Sequence, residues 1–245
     1  MNPIIVIPAR MESTRLPGKP LADINGRPMI LHVLDRGREA EIGPVAVACA
    51  EPAIAEAVRA AGGLAVLTDP SLPSGSDRVH AALATLDPQA KHDVVVNLQG
   101  DLPTIPPSQL RAVITPLSDP EVDIATLVAP IMSDEEARAE SVVKAACAFE
   151  RGRAVSPALY FSRAPIPAGE GPRWHHIGLY AYRRPALARF VALPESPLER
   201  REKLEQLRAL EAGMRIACAR VEHAPFGVDT PADLARARDM LGRPG

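Results

Sequence analysis

The sequence predicts an α/β fold: a mixed, mainly parallel sheet flanked by helices, with a smaller β-rich extension in its second half. Three observations carry this. The apolar runs Ile4–Ile7, Val45–Ala48, Leu64–Leu67 and Val94–Leu98 have strand length and alternate with helical patterns, the signature of parallel strands joined by crossover helices. The fourth run ends abruptly in Gln99-Gly100-Asp101, as a buried strand does at a ligand crevice. After about Pro120 the strand-like runs follow one another without long helices between them, which suits a mixed or antiparallel extension.

Taken in order, Ile4-Ile5-Val6-Ile7 empties into Pro8-Ala9-Arg10 and a loop through Pro20 that carries Arg10, Arg15 and Lys19, stiffened by Pro17 and Pro20 and bent at Gly18. Ile24-Asn25-Gly26 is a turn. Pro28 opens a helix with Ile30, Val33 and Leu34 on one face. Ile54, Ala57, Val58 and Ala61 give a second helix, ending at Gly62-Gly63. A third follows the turn Pro73–Arg78, along Val79, Ala82 and Leu83. In the second half, Ala125–Val128, Val142–Ala145, Ala158–Arg163 and His175–Tyr182 read as strands, with a proline-rich exposed connection at Ala164–Pro172. Ser196-Pro197-Leu198-Glu199 has capping-box spacing, and its helix is expected to run through Leu204, Leu207 and Leu210 to Gly213. Asp229 stands just before a last helix capped by Thr230.

At 245 residues the chain can bury a full core, and it reads as one domain, 1–245, with the extension at about 120–185 inside it. Lys+Arg 28 against Asp+Glu 30 leaves a net charge of −2, so no global field draws nucleic acid or anionic lipid, and any anion site is local. Aromatic residues are 3%, too few for a base-stacking platform. Too few residues precede Pro8-Ala9-Arg10 for a signal peptide, and no apolar run spans a bilayer. Cys49, Cys147 and Cys218 lack metal or redox spacing and read as reduced thiols. A cytoplasmic protein is expected.

The chemistry concentrates at strand ends. Three cations and several backbone N–H groups after the first strand suit a polyphosphate, although neither a Walker A motif nor a G-x-G-x-x-G is present. Asp101 and Asp229 suit Mg²⁺, which takes one or two carboxylates plus substrate phosphates; an ordinary turn aspartate and a helix-entry residue would look the same. Together with the cationic loop they suggest metal-assisted nucleotidyl transfer. Arg163, His176, Glu205 and Gln206 are groups a polyhydroxylated, carboxylated sugar needs, Arg pairing bidentately with a carboxylate. A buried structural histidine and a solvated helix face are the plainer readings of the last three.

These residues also carry a resemblance. Ile7-Pro8-Ala9-Arg10…Ser13-Thr14-Arg15-Leu16-Pro17-Gly18-Lys19-Pro20, Ser74–Arg78, Asn97–Asp101, Tyr160-Phe161-Ser162-Arg163, His176–Tyr180, Leu204-Glu205-Gln206-Leu207 and Gly227–Pro231 resemble the 3-deoxy-manno-octulosonate cytidylyltransferase family along essentially the whole chain. The resemblance implies a nucleotide-diphospho-sugar transferase fold and the reaction of CTP with 3-deoxy-manno-octulosonate (Kdo) to CMP-Kdo and pyrophosphate, for lipopolysaccharide. It implies CTP binding by Ala9, Arg10, Ser13, Arg15, Lys19, Ser74, Gly75, Arg78 and Gln99, with Arg10, Lys19, Asp101 and Asp229 catalytic. Asp101 and Asp229 would hold Mg²⁺; Arg163, His176, Tyr180, Glu205 and Gln206 would bind the sugar. A homodimer formed through the extension is implied, with neither nucleic acid nor membrane insertion. Activation of another acidic sugar, an 8-amino-Kdo or a nonulosonate, and a non-catalytic nucleotide binder are the alternatives. The sequence departs from the family where Leu102 replaces the usual glutamate of Gln-Gly-Asp-Glu-Pro, at Ala48-Cys49-Ala50-Glu51, and at Ser141 before Val142-Val143-Lys144.

Overall fold

The computed structural model describes residues 1–242. In chain order the elements are β1 (Pro3–Ala9), β2 (Asp23–Ile24), β3 (Arg27–Pro28), α1 (Met29–Glu39), β4 (Val45–Cys49), α2 (Pro52–Ala60), β5 (Leu64–Leu67), α3 (Gly75–Leu86), β6 (Val94–Asn97) and α4 (Pro107–Val113). There follow β7 (Ile124–Pro130), α5 (Asp134–Arg138), β8 (Lys144–Cys147), β9 (Val155–Ser162), β10 (Trp174–Arg183), α6 (Arg184–Ala192), α7 (Pro197–Glu202), α8 (Leu207–Glu211), β11 (Ile216–Arg220) and α9 (Pro231–Leu241). They form two compact units: Met1–Leu110 with the stretch from Pro225 onward, and Arg111–Ala224.

In the first unit β1 lies between β4 and β6, and β4 pairs with β5, every pairing parallel. Burial on both faces explains the continuous apolar runs: all of β4 and β6 is buried, and β1 nearly so. The helices cover the sheet with the stripes expected of them, Ile30, Val33 and Leu34 on α1, and Val79, Ala82 and Leu83 on α3. Asn25 and Gly26, both at positive φ, make the turn between β2 and β3. Ile24 and Met29 then pack with Val228, Leu234 and Ala237, which fastens α9 to the start of α1. A capping box between Thr230 and Asp233 starts α9 as the sequence indicates.

In the second unit the strands run in the order β10-β7-β11-β9-β8, and a short β8–β10 pairing, with Trp174 opposite Ala145, closes the circle. Only β7 and β11 are parallel here; the other pairs are antiparallel. The sheet is therefore mixed rather than mainly parallel. The physical reason lies in the connections: antiparallel neighbours such as β8 and β9 need only a short turn, whereas each parallel pair needs a long crossover.

Three local expectations also need correction. The turn placed at Pro73–Arg78 is already helical from Gly75, with Ser74 as its N-cap accepting from the Asp77 N–H. The strand placed at Val142–Ala145 begins two residues later, at Lys144. The helix expected from Ser196 to Gly213 is broken: α7 keeps the capping box on Ser196 and Glu199 but ends at Glu202, Lys203 turns left-handed (φ 56°), and α8 starts at Leu207. The leucine spacing survives because Leu204 and Leu207 are buried on either side of the turn. Glu205 and Gln206 thus sit on a connection, not on a helix face.

Candidate active site

The loop after β1 is folded on itself. Gly18, at φ 69°, donates its N–H to the Met11 carbonyl, the Leu16 N–H reaches Ser13 Oγ, and Glu51 accepts from the Met11 N–H. The loop borders a cleft of about 670 Å³ at the carboxyl ends of β1 and β6. All the residues expected to bind CTP line it: Ala9, Arg10, Ser13, Arg15, Lys19, Ser74, Gly75, Arg78 and Gln99, joined by Asp101 and Asp229. Close packing keeps the floor low. A Cβ on Gly100 would stand 3.0 Å from the Pro8 carbonyl oxygen, so a side chain there would push β1 and the β6 exit apart.

The charges have a definite arrangement. Lys19 Nζ donates to Asp101 Oδ2 at 2.8 Å and to Asp229 Oδ1 at 3.0 Å, while Arg15 pairs with Asp229 Oδ2 at 3.1 Å. The two acids are brought together by backbone: the Val228 N–H donates to the Asp101 carbonyl, and the Asp229 and Thr230 N–H groups donate to Asp233 Oδ2 at the head of α9. Burial works to lower the Lys19 pKa, but Asp101 and then Asp229 outweigh it and hold the ammonium above its usual value. Two carboxylate oxygens thus converge on one ammonium beside the cationic loop. Arg10, half exposed, leans loosely on Glu12 at 3.9 Å.

Arg78 behaves differently from the other cations. Only 2% of it is exposed, and its guanidinium donates to Thr68 Oγ1 at 2.6 Å and to the Asp69 and Pro70 carbonyls. It pins the loop after β5 to α3, so its place in the cleft wall is that of a strut. Gln99 is oriented by Asn97, whose Oδ1 accepts from Gln99 Nε2 at 3.1 Å. Glu12 and Leu72 also line the cleft and carried no sequence signal that marked them, and Thr14, quoted only as part of the opening motif, lines it too. Leu102 is buried and lies beside the chain at Gly227; where the family pattern has an acid, this chain has a packing contact.

The second unit gathers the remaining expected residues. His176 is buried, edge-on to Phe161 at 4.8 Å between ring centres and 5.5 Å from Tyr180. Burial drives its pKa down to about 3, so the ring is neutral, and burial likewise pushes the Tyr180 phenol up. Arg163 leaves the end of β9 with its guanidinium on the carbonyls of Glu202, Glu140 and Lys203. Neutral acceptors leave its charge available to a carboxylate. Lys144, wholly buried, donates to the carbonyls of Ala139, Val142 and Arg163 and so ties down that corner. Gln206 is 5% exposed, and its Nε2 is buried without a hydrogen-bond partner among the described residues. A buried amide left with a spare donor is costly unless something polar meets it, as a ligand hydroxyl would. Glu205, next to it, lies 3.8 Å from Arg208.

A parallel sheet ending in a cationic loop, paired acids and a cleft defines an α/β nucleotidyltransferase. The cytidylyltransferase family model matches residues 4–216. The 3-deoxy-manno-octulosonate cytidylyltransferase of Rhodospirillum centenum is 66% identical over 240 residues, 98% of this chain and 93% of that one. The enzyme of the same name from Paramagnetospirillum magneticum is 61% identical over 241 residues, 98% of each chain. A solved structure of CMP:2-keto-3-deoxy-manno-octonic acid synthetase complexed with CTP matches with a TM-score of 0.90 at 40% identity, covering 98% of both chains. The chain belongs to the 3-deoxy-manno-octulosonate cytidylyltransferase family.

Proposed function

We propose that this chain joins CTP and Kdo to give CMP-Kdo and pyrophosphate, the activated sugar serving lipopolysaccharide assembly. The observation that carries the reading is the convergence of Lys19, Asp101 and Asp229 in a cleft walled by the cationic loop. In this reading the Kdo anomeric oxygen bonds to the α-phosphorus of CTP as the bond from that phosphorus to the β-phosphate oxygen breaks, in line, with pyrophosphate leaving and the hydroxyl proton passing to water. Arg10, Arg15 and Lys19 hold the triphosphate and take up charge on the departing pyrophosphate. Ser74, Gly75 and Gln99 face the cytidine, with Arg78 bracing them. Arg163 takes the Kdo carboxylate, and His176, Tyr180, Glu205 and Gln206 take hydroxyls. No covalent enzyme intermediate is required; positioning and charge carry the rate.

Asp101 and Asp229 fit a divalent cation, because their oxygens already converge on a positive group, the Lys19 ammonium. Held by these two residues, Mg²⁺ would supply positive charge that eases ionisation of the sugar hydroxyl. The reading treats the chain as one cytoplasmic nucleotidyltransferase domain whose segment at about 120–185 serves sugar binding and homodimer formation. The outward side chains of β9, Val155, Pro157 and Leu159, are exposed and largely apolar, the kind of face a second copy would cover. Among the described residues no helix is long and apolar enough to cross a membrane. The test is substrate-dependent turnover: Asp101→Asn and Asp229→Asn should each abolish Mg²⁺-dependent CMP-Kdo formation, and Arg163→Ala should raise the KM for Kdo with little change for CTP. Retained turnover in both asparagine variants would remove the metal assignment.

A further inference from the structure

We propose that Thr126 is a positioning residue: it fixes the imidazole of His176 as the Nε2–H tautomer and so presents Nδ1 as a hydrogen-bond acceptor for a hydroxyl of the sugar substrate. The inference rests on the proposed role of His176 in sugar binding and deepens it.

The register of β10 against β7 is irregular beside His176. Ile177 pairs with Leu127, but the next pair is Tyr180 with Thr126, so Gly178 and Leu179 are extra residues on β10. Such a bulge takes carbonyls out of the ladder and re-aims the neighbouring side chains. Thr126 is fully buried, and its Oγ1 lies 2.9 Å from the carbonyl oxygens of both Ile177 and Leu179 and 3.1 Å from His176 Nε2. A threonine hydroxyl has one proton to give. The two carbonyls cannot donate, so they claim that proton, whether singly or shared.

The imidazole contact then decides itself. If Nε2 were the unprotonated nitrogen, Oγ1 would face three acceptors with one proton, leaving buried lone pairs opposed. With Nε2 protonated, the ring donates to Oγ1, the hydroxyl donates onward to the carbonyls, and every group is served. A neutral imidazole protonated at Nε2 offers a lone pair at Nδ1. Nδ1 carries no hydrogen bond among the described residues, and the ring cannot turn freely between Phe161 and Tyr180. An acceptor with a fixed direction discriminates a hydroxyl from a carbonyl or ether oxygen, which is what choosing among polyhydroxylated sugars demands.

The experiment uses full-length protein labelled with ¹⁵N-histidine, with the His176 signals assigned by comparison with His176→Asn. In the substrate-free protein at neutral pH, Nε2 should give a pyrrole-type signal and Nδ1 a pyridine-type one; the reverse pattern overturns the proposal. Saturating Kdo should shift the Nδ1 signal, and a protein that turns Kdo over without any such shift overturns the acceptor role. Thr126→Ser should keep the tautomer and the KM for Kdo. Thr126→Val should lose the tautomer preference and raise the KM for Kdo about ten-fold, the effect of one poorly satisfied hydrogen bond, with kcat within about three-fold. An unchanged tautomer and KM in Thr126→Val overturns it. Should the protein not turn over Kdo at all, the functional reading fails, while the substrate-free spectrum still decides the tautomer.

Discussion

Replacing Lys19 with methionine removes the cation that stands between Asp101 and Asp229 while keeping most of the side chain's bulk. Lys19 is 18% exposed, Asp101 31% and Asp229 45%, so water screens the triad in part. A fully buried pair broken in this way costs about 3–5 kcal/mol and a fully exposed one less than about 1. The intermediate exposure puts the loss at about 1–2 kcal/mol, much of it repulsion between two carboxylates left facing each other. In a chain of this size that lowers Tm by about 3–6 °C. The same change vacates the point on which the acids converge. MgCl₂ without nucleotide should therefore stabilise Lys19→Met, by about 2.7 kcal/mol at a hundred-fold excess over Kd, more than the substitution costs, and should do little for the natural protein, whose own ammonium competes. Thermal unfolding with and without Mg²⁺ reads both effects. A Lys19→Met protein as stable as the parent and indifferent to Mg²⁺ would refute the reasoning.

Other expectations follow from buried groups. Arg78→Met should cost about 2–3 kcal/mol in urea unfolding, since charge-assisted bonds to Thr68, Asp69 and Pro70 are lost, and lysine should rescue only part of it because it lacks the fork. Glu199→Gln should cost about 1–3 kcal/mol, since it removes the charge that the Arg208 guanidinium meets at 2.8 and 2.5 Å and leaves Glu205, at 3.8 Å, as a weaker partner. His176, held at about 3 in the fold against about 6.5 unfolded, is neutral in both states above pH 6.5 and costs nothing there. Below that the unfolded chain takes the proton first, so stability falls by up to about 1.4 kcal/mol per pH unit down to pH 3. His176→Phe should flatten that acid limb of the unfolding curve, and an unchanged limb would show that the histidine is not the group responsible.

The first unit was largely legible because its signals are local. A β-branched run between turn residues is a buried strand whatever surrounds it, and Thr230 caps α9 where the sequence places the cap. Arg10, Gln99 and Asp101 stood out because they lie just past strand ends, whereas Ser74, Gly75 and Arg78 were marked only by the family resemblance. What escaped were choices made by distant parts of the chain. Nothing in the residues of β7 and β11 says that they pair in parallel while their neighbours run antiparallel. Lys203 has no glycine-like marker for its left-handed turn, which the burial of Leu204 and Leu207 around it imposes. Nothing in the sequence says that Arg78 and Lys144 are buried, because their burial depends on backbone carbonyls that only the fold assembles. Leu102 could be seen as a departure, but not that it fills a packed position beside Gly227.

Pyrophosphate release from CTP, measured with each component omitted in turn, decides whether the chain makes CMP-Kdo. Release should occur only when CTP, Kdo and Mg²⁺ are all present, matched mole for mole by CMP-Kdo. Release without Kdo, or none with all three present, would contradict the proposed activity.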